Sequence, residues 1–149
     1  MKFDAMDKKI VDLLVRDGRI SYVELAEEVG LSRVAIKDRI QNMLDKNIIE
    51  NFTASVNPAM LGLQISAFFE LEVEPNKLHD VAHTLTEKEE VVNIFQMTGP
   101  GTLHMHVLVT DLHALEAFMA DELYTLPGII RIDSNIVLKR FKSEISYRL

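Results

Sequence analysis

The chain predicts an α+β fold. It reads as an N-terminal winged-type helix-turn-helix over residues 1–56, a linker over 57–64 and a C-terminal ferredoxin-like βαββαβ domain over 65–149. Three observations carry this. Residues 17–32 spell a helix with a capping box (Ser21, Glu24), a left-handed stop (Gly30) and a new N-cap (Ser32). Asn57-Pro58 and Gly62 then interrupt the chain. Beyond them the apolar rhythm changes to strand-helix-strand-strand-helix-strand.

The first helix is predicted over 4–16, with Met6, Ile10, Leu13 and Leu14 on one face and Gly18 ending it. The second spans 21–29 with Leu25, Ala26 and Val29 inward. Leu31 closes the corner, and the third spans 32–46 with Ile36, Ile40, Met43 and Leu44 as its buried stripe. Ile48, Ile49, Phe52, Ala54 and Val56 read as a short strand. In the second half, Ala67, Phe69, Leu71 and Val73 alternate with polar or outward residues up to Pro75. Leu78, Val81, Ala82 and Leu85 form a helical stripe. Strands over 91–98 and 102–109 flank Gly99-Pro100-Gly101. A helix over 111–123 turns Leu115, Phe118 and Met119 inward, and a last strand covers 129–139 after Pro127-Gly128.

The split βαββαβ order puts both helices on one sheet face and leaves the other bare. Phe68 falls on that bare face, and Ile94, Ile130, Ile132 and Ile136 are expected to join it. A second copy of the sheet would cover so much apolar area through a two-fold interface.

The 149 residues include no Cys, which excludes disulfides and thiolate metal sites. No run of about 18 apolar residues predicts a transmembrane helix. The N-terminus lacks an apolar signal core, and a cytoplasmic protein with no membrane partner is expected. Net charge is −7, but residues 1–50 hold nine Lys/Arg against ten Asp/Glu, and residues 51–149 hold seven against thirteen. The acid is concentrated in the second half, and the third helix is locally basic.

A short Gly-containing turn makes helices two and three cross steeply and leaves the start of the third protruding toward a DNA major groove. Ser32, Arg33, Val34, Ala35, Asp38, Gln41 and Asn42 are the candidates for facing double-stranded DNA, with Lys37 and Arg33 reaching phosphates from the flanks. Arg39, at the edge of the buried stripe, and Tyr22, at the start of helix two, divide evenly between DNA contact and packing. A two-fold dimer would set two such helices about one DNA turn apart, ~34 Å or a multiple of it. His79 and His83 lie one helical turn apart, but without Cys or a second carboxylate nearby they read as surface histidines, and no metal or cofactor is expected. His104 and His106 share a strand face, which makes a pH-sensitive dimer interface an expectation to test.

The chain resembles the leucine-responsive regulatory protein/AsnC family, the feast/famine transcription regulators. In the first half the match rests on Asp4, Asp7, Ile10, Asp17-Gly18-Arg19-Ile20-Ser21, Glu24-Leu25, Val29-Gly30-Leu31-Ser32, Arg39, Ile49, Thr53-Ala54, Asn57-Pro58 and Gly62. In the second it rests on Thr98-Gly99, Asp111, Leu126-Pro127-Gly128, Ile136-Val137-Leu138 and Lys142. The resemblance implies a DNA-binding regulator whose ferredoxin-like domain dimerises, whose dimers join into octamers or larger discs, and whose effector is a small molecule such as an amino acid. It implies an effector site around Gly99, Gly101, Thr102, His104 and Ser134. The chain departs from the family where Thr102 replaces a frequent acid that holds the effector's ammonium group, and where Gln41 and Asn42 replace frequent basic residues. Two other readings remain: an effector-independent DNA-architectural protein, and a sirohaem decarboxylase-like enzyme using His104 or His106. No catalytic set stands in a recognisable motif.

Overall fold

The computed structural model describes residues 3–142. The part of the C-terminal domain expected over 143–149 lies outside the described residues. Two compact units form, one ending at Ser55 and one running from Val56 to Lys142.

The first unit holds three helices: α1 (Ala5–Arg16), α2 (Tyr22–Val29) and α3 (Arg33–Asp45). Each begins on a side-chain cap. The Asp4 carboxylate accepts from the Met6 and Asp7 amides, and Asp7 returns a bond to the Asp4 amide. Ser21 and Glu24 form the same reciprocal box on α2. Ser32 Oγ accepts from the Ala35 amide at 3.1 Å. Gly30 ends α2 at φ +76°, a backbone angle that disfavours side chains. Asn47 ends α3 at φ 55°, where Ile48 N–H reaches Met43 O and Asn47 N–H reaches Leu44 O, a Schellman closure. Ile10, Leu25, Val29, Ile36, Ile40 and Met43 fill the core between the helices. Met6 departs from its expected inward place and is 41% exposed, and the inward residue of that turn is Asp7.

Among the described residues the strand expected over 48–56 does not form. Ile49 packs on the core, but Phe52 and Val56 stand exposed and no backbone ladder forms there among the described residues. Alternation specifies which side chains share a face; a strand also needs a neighbouring edge to satisfy its amides.

The second unit opens with a 3₁₀ turn (Pro58–Leu61) and continues as β1 (Ile65–Val73), α4 (Leu78–Thr86), β2 (Val91–Gln96), β3 (Thr102–Val109), α5 (Leu112–Phe118) and β4 (Ile129–Ile136). The antiparallel sheet has the order β2-β3-β1-β4. Its inner face, with Ala67, Phe69, Leu71, Val73, Leu103, Met105, Val107 and Val109, packs on Leu78, Val81 and Leu85 of α4 and Leu115 and Phe118 of α5. The Phe69 and Phe118 rings meet at 6.3 Å.

The helix expected to run unbroken to residue 123 changes pitch after Phe118. Met119–Leu123 form a π turn in which Tyr124 N–H reaches Met119 O. An unbroken α-helix would bring residue 122, a glutamate, inward four positions after Phe118. The extra residue instead buries Leu123 and frees Glu122 to pair with Lys88 at 2.5 Å.

Candidate nucleic-acid interface and open sheet face

The apolar seam of α3 (Ile36, Ile40, Met43) faces the core, which fixes the opposite side outward. Arg33, Val34, Lys37, Asp38 and Gln41 are exposed there, and Val34 is 68% exposed. Arg33 and Lys37 make no ion pair among the described residues. A basic flank with an exposed Val between suits phosphate contact beside base-edge contact. Ala35 and Asn42 are half-buried at the margin of this face. Gln41 Nε2 donates to Asp45 Oδ1 at 2.8 Å, one turn along the helix. Ser32 sits at the tip, its Oγ committed as acceptor to the cap. Tyr22 is half-buried and packs against the three-helix core.

Arg39 makes an intramolecular fork. Its Nη1 lies 2.7 Å from Asp7 Oδ1 and 2.9 Å from Asp4 Oδ2. Asp7 is the buried member, with its side chain 3% exposed against 20% for Arg39. The hydrogen bonds it donates to Asp7 and then to Asp4 hold the guanidinium more firmly protonated than usual. The Asp7 amide, and next the Arg39 fork, keep the Asp4 carboxyl below its ordinary range. Nothing local in the sequence signals this contact, because Asp7 stands 32 residues from Arg39.

The open face of the sheet differs from its expected composition. Register places Ile94 opposite Met105, Ile132 opposite Leu71 and Ile136 opposite Ala67, all on the helix-covered side. Ile130 sits at the irregular pairing beside Val73. One residue of register decides the face of a side chain, which turns Ile94, Ile132 and Ile136 inward, while Ile130 is 61% exposed. The open face carries Phe68, as expected, with Ser66, Glu70 and Glu72 of β1, Thr102, His104, His106 and Leu108 of β3, Phe95 of β2, and Arg131 and Asp133 of β4. Phe68 stacks on His106 at 4.4 Å and on His104 at 5.4 Å. Ser66 Oγ lies 2.8 Å from His106 Nε2. Burial, then the Arg140 and His104 charges, push the His106 pKa below its ordinary value. Sequence reading singled out both histidines but missed this stack and Ser66, which only pairing reveals.

The expected effector residues separate. Thr102 and His104 share the open face, whereas Ser134 lies opposite Phe69 on the helix-covered side. Gly101 is buried, and its carbonyl accepts from Val73 N–H at 2.7 Å, tying the β2–β3 turn to the end of β1. A side chain on Gly99 would run into Thr102 Oγ1. Clefts of 390 and 330 Å³ in this unit are lined by none of these five residues. Among the described residues no cluster of three metal-ligating side chains occurs, and no helix is long and apolar enough to cross a membrane.

Residues 3–44 match the AsnC-type helix-turn-helix domain, and residues 66–147 match the Lrp/AsnC ligand binding domain. An HTH-type transcriptional regulator of Pyrococcus furiosus is 37% identical, over 90% of this chain and 90% of that one. One from Methanocaldococcus jannaschii is 31% identical, over 93% of this chain and 94% of that one. The structure of a Neisseria meningitidis transcriptional regulator in complex with L-Met superposes with a TM-score of 0.90 at 28% identity, covering 99% of this chain and 97% of that one. These are regulators and not enzymes, which leaves the decarboxylase reading without support. With both domain types matched in order along one chain, the protein belongs to the Lrp/AsnC family of helix-turn-helix transcriptional regulators.

Proposed function

We propose that this chain acts as a sequence-specific regulator on double-stranded DNA, reading base edges with Val34, Asp38 and Gln41 of α3 while Arg33 and Lys37 engage phosphates. The observation that carries this reading is the outward face of α3. It is basic and exposed, among the described residues Arg33 and Lys37 make no ion pair, and its opposite side is locked into the core. Ser32 sets the tip of the helix, and Asn42 and Ala35 bound the contact surface. Tyr22 and Arg39 belong to the scaffold.

The working unit of this proposal is a homodimer paired through the open sheet face, with dimers joining into an octamer or larger assembly. Phe68, Phe95 and Leu108 supply apolar area on that face, and Glu70, Glu72 and Arg131 supply a charged margin. A small-molecule effector of the amino-acid class, by analogy with the L-Met complex of the Neisseria regulator, binds near Gly99, Gly101, Thr102 and His104. Ser134 of the same protomer lies on the other face, so it joins the site only if another copy brings it there. An effector preferring one assembly state shifts the population of that state.

Selection of bound duplexes from genomic fragments by the purified chain, followed by binding at several salt concentrations, tests the reading. Enrichment of a two-fold symmetric motif is the expected result. A chain that enriches no sequence at low ionic strength overturns it. Calorimetry against the twenty amino acids separates the effector-modulated regulator from the architectural protein, which would bind DNA and none of them.

A further inference from the structure

We propose that Arg39 is a positioning residue for DNA reading: the fork from Arg39 to Asp7 and Asp4 fixes the roll of α3 about its axis. This rests on the reading of α3 as the DNA-facing helix. The seam of α3 consists of Ile36, Ile40 and Met43. Apolar packing of this kind is non-directional, and it tolerates small rotations that would swing Val34, Asp38 and Gln41 across the groove. A charge-assisted hydrogen bond at 2.7 Å is directional and does not.

The anchor is rigid for three reasons. Asp7 is buried against the core, with 2% of its surface exposed. Its second oxygen, Oδ2, accepts from the Asp4 amide at 3.1 Å, so both oxygens are engaged and the carboxylate cannot turn. Asp4 in turn caps α1 through Oδ1, which accepts from the Met6 and Asp7 amides at 2.9 Å, and it also faces Arg39. One guanidinium nitrogen therefore joins the first turn of α1 to the middle of α3, across 32 and 35 residues of sequence. Replacing such a buried pair by apolar groups of similar volume is often neutral for stability, so the fork is better explained by orientation than by fold energy.

Two charge-state consequences follow. Arg39 is neutralised by two carboxylates and does not count among the phosphate contacts. Its removal therefore leaves the salt dependence of binding unchanged, whereas losing a phosphate contact lowers the slope of log K against log salt by about 0.9. Asp7→Asn removes one of the two carboxylates and leaves the guanidinium to Asp4 alone, so non-specific affinity holds or rises while discrimination falls.

The test uses the full chain with a duplex selected by the wild type, and poly(dI-dC) as the non-specific competitor. Failure of the wild type to select a duplex defeats the proposed function; the variants address only the fork. Asp7→Asn, and the double variant Asp7→Leu/Arg39→Met that keeps the site packed, are compared by helical circular dichroism, salt slope and the specific-to-non-specific affinity ratio. The expected result is native helicity, an unchanged slope in the double variant, and a ratio reduced at least about tenfold in both, the loss of one good base contact. A ratio within twofold of wild type, a slope lowered by about 0.9 in the double variant, or loss of the helical fold in both variants would each overturn the positioning role.

Discussion

Replacing Gly101 by Ala puts a Cβ where the backbone of another strand already lies. The added atom would stand 2.0 Å from the Val73 carbonyl oxygen and 3.2 Å from its carbon. Neither neighbour is a side chain that can rotate away, so the β2–β3 turn or the end of β1 must move by about an ångström to reach ordinary contact distance. The first casualty is the 2.7 Å bond from Val73 N–H to the Gly101 carbonyl. Val73 is 1% exposed, so its amide gains no water in exchange. Stranding it costs about 1–3 kcal/mol. Loosened packing of Val73 and Leu103 adds roughly 1 kcal/mol. The sum, roughly 2–4 kcal/mol, is a large share of a domain's stability. Urea unfolding at fixed protomer concentration, followed by circular dichroism, measures it. Gly99→Ala is the internal control. Its Cβ meets Thr102 Oγ1 at 2.6 Å, but that hydroxyl sits on a rotatable side chain with the Thr102 Cβ at 3.4 Å, so less than about 1 kcal/mol is expected. If Gly101→Ala cost no more than Gly99→Ala, the argument from backbone proximity would be refuted.

Further outcomes concern both units. Gly30→Ala places a side chain at φ +76° with nothing within 4 Å, so strain alone should cost about 1 kcal/mol, and Gly30→Asn less; thermal melts of the two variants check the order. Ser32→Ala removes the acceptor for Ala35 N–H and should cost about 1 kcal/mol in the same assay while fraying the tip of α3, with Ser32→Thr retaining most of the stability. His106 has a folded pKa below its ordinary 6.5, so the unfolded chain takes up the proton first. That share of stability is complete above 6.5 and falls as pH drops through 6.5 toward the folded value. The urea midpoint should therefore decline between pH 8 and 5.5, and more steeply than in His106→Gln; parallel profiles would reject the assignment. Arg33→Ala and Lys37→Ala should each lower the salt slope of DNA binding by about 0.9 and weaken selected and random duplexes alike.

The first half of the chain was largely legible because its signals are local. Ser21 with Glu24, Gly30 and Ser32 act within one helical turn, and the cap each predicts is formed by backbone groups three or four residues away. The spacing of Ile36, Ile40 and Met43 likewise sets the buried side of α3, and so its outward side. In the second half, Ala67, Phe69, Leu71 and Val73 declared their face by alternation, and the helix-covered side followed. What the sequence determined by itself was thus the helices and the four sheet strands, their order, and the inner sides of α2, α3 and β1.

Tertiary structure decided everything that depends on a partner far along the chain. Arg39 pairs with Asp7, which comes to meet it from α1, and no local pattern in the sequence announces that contact. Ile94, Ile132 and Ile136 are equally apolar on either side of a sheet, and register against Met105, Leu71 and Ala67 assigns them to the helices. Residues 48–56 have the alternation of a strand, but among the described residues no neighbouring edge pairs with them. The turn at Phe118 widens because Leu123, not Glu122, has an apolar place to go. Periodicity records which side chains avoid water; pairing and long-range charge contacts are settled by which backbones and ions meet once the chain has closed on itself.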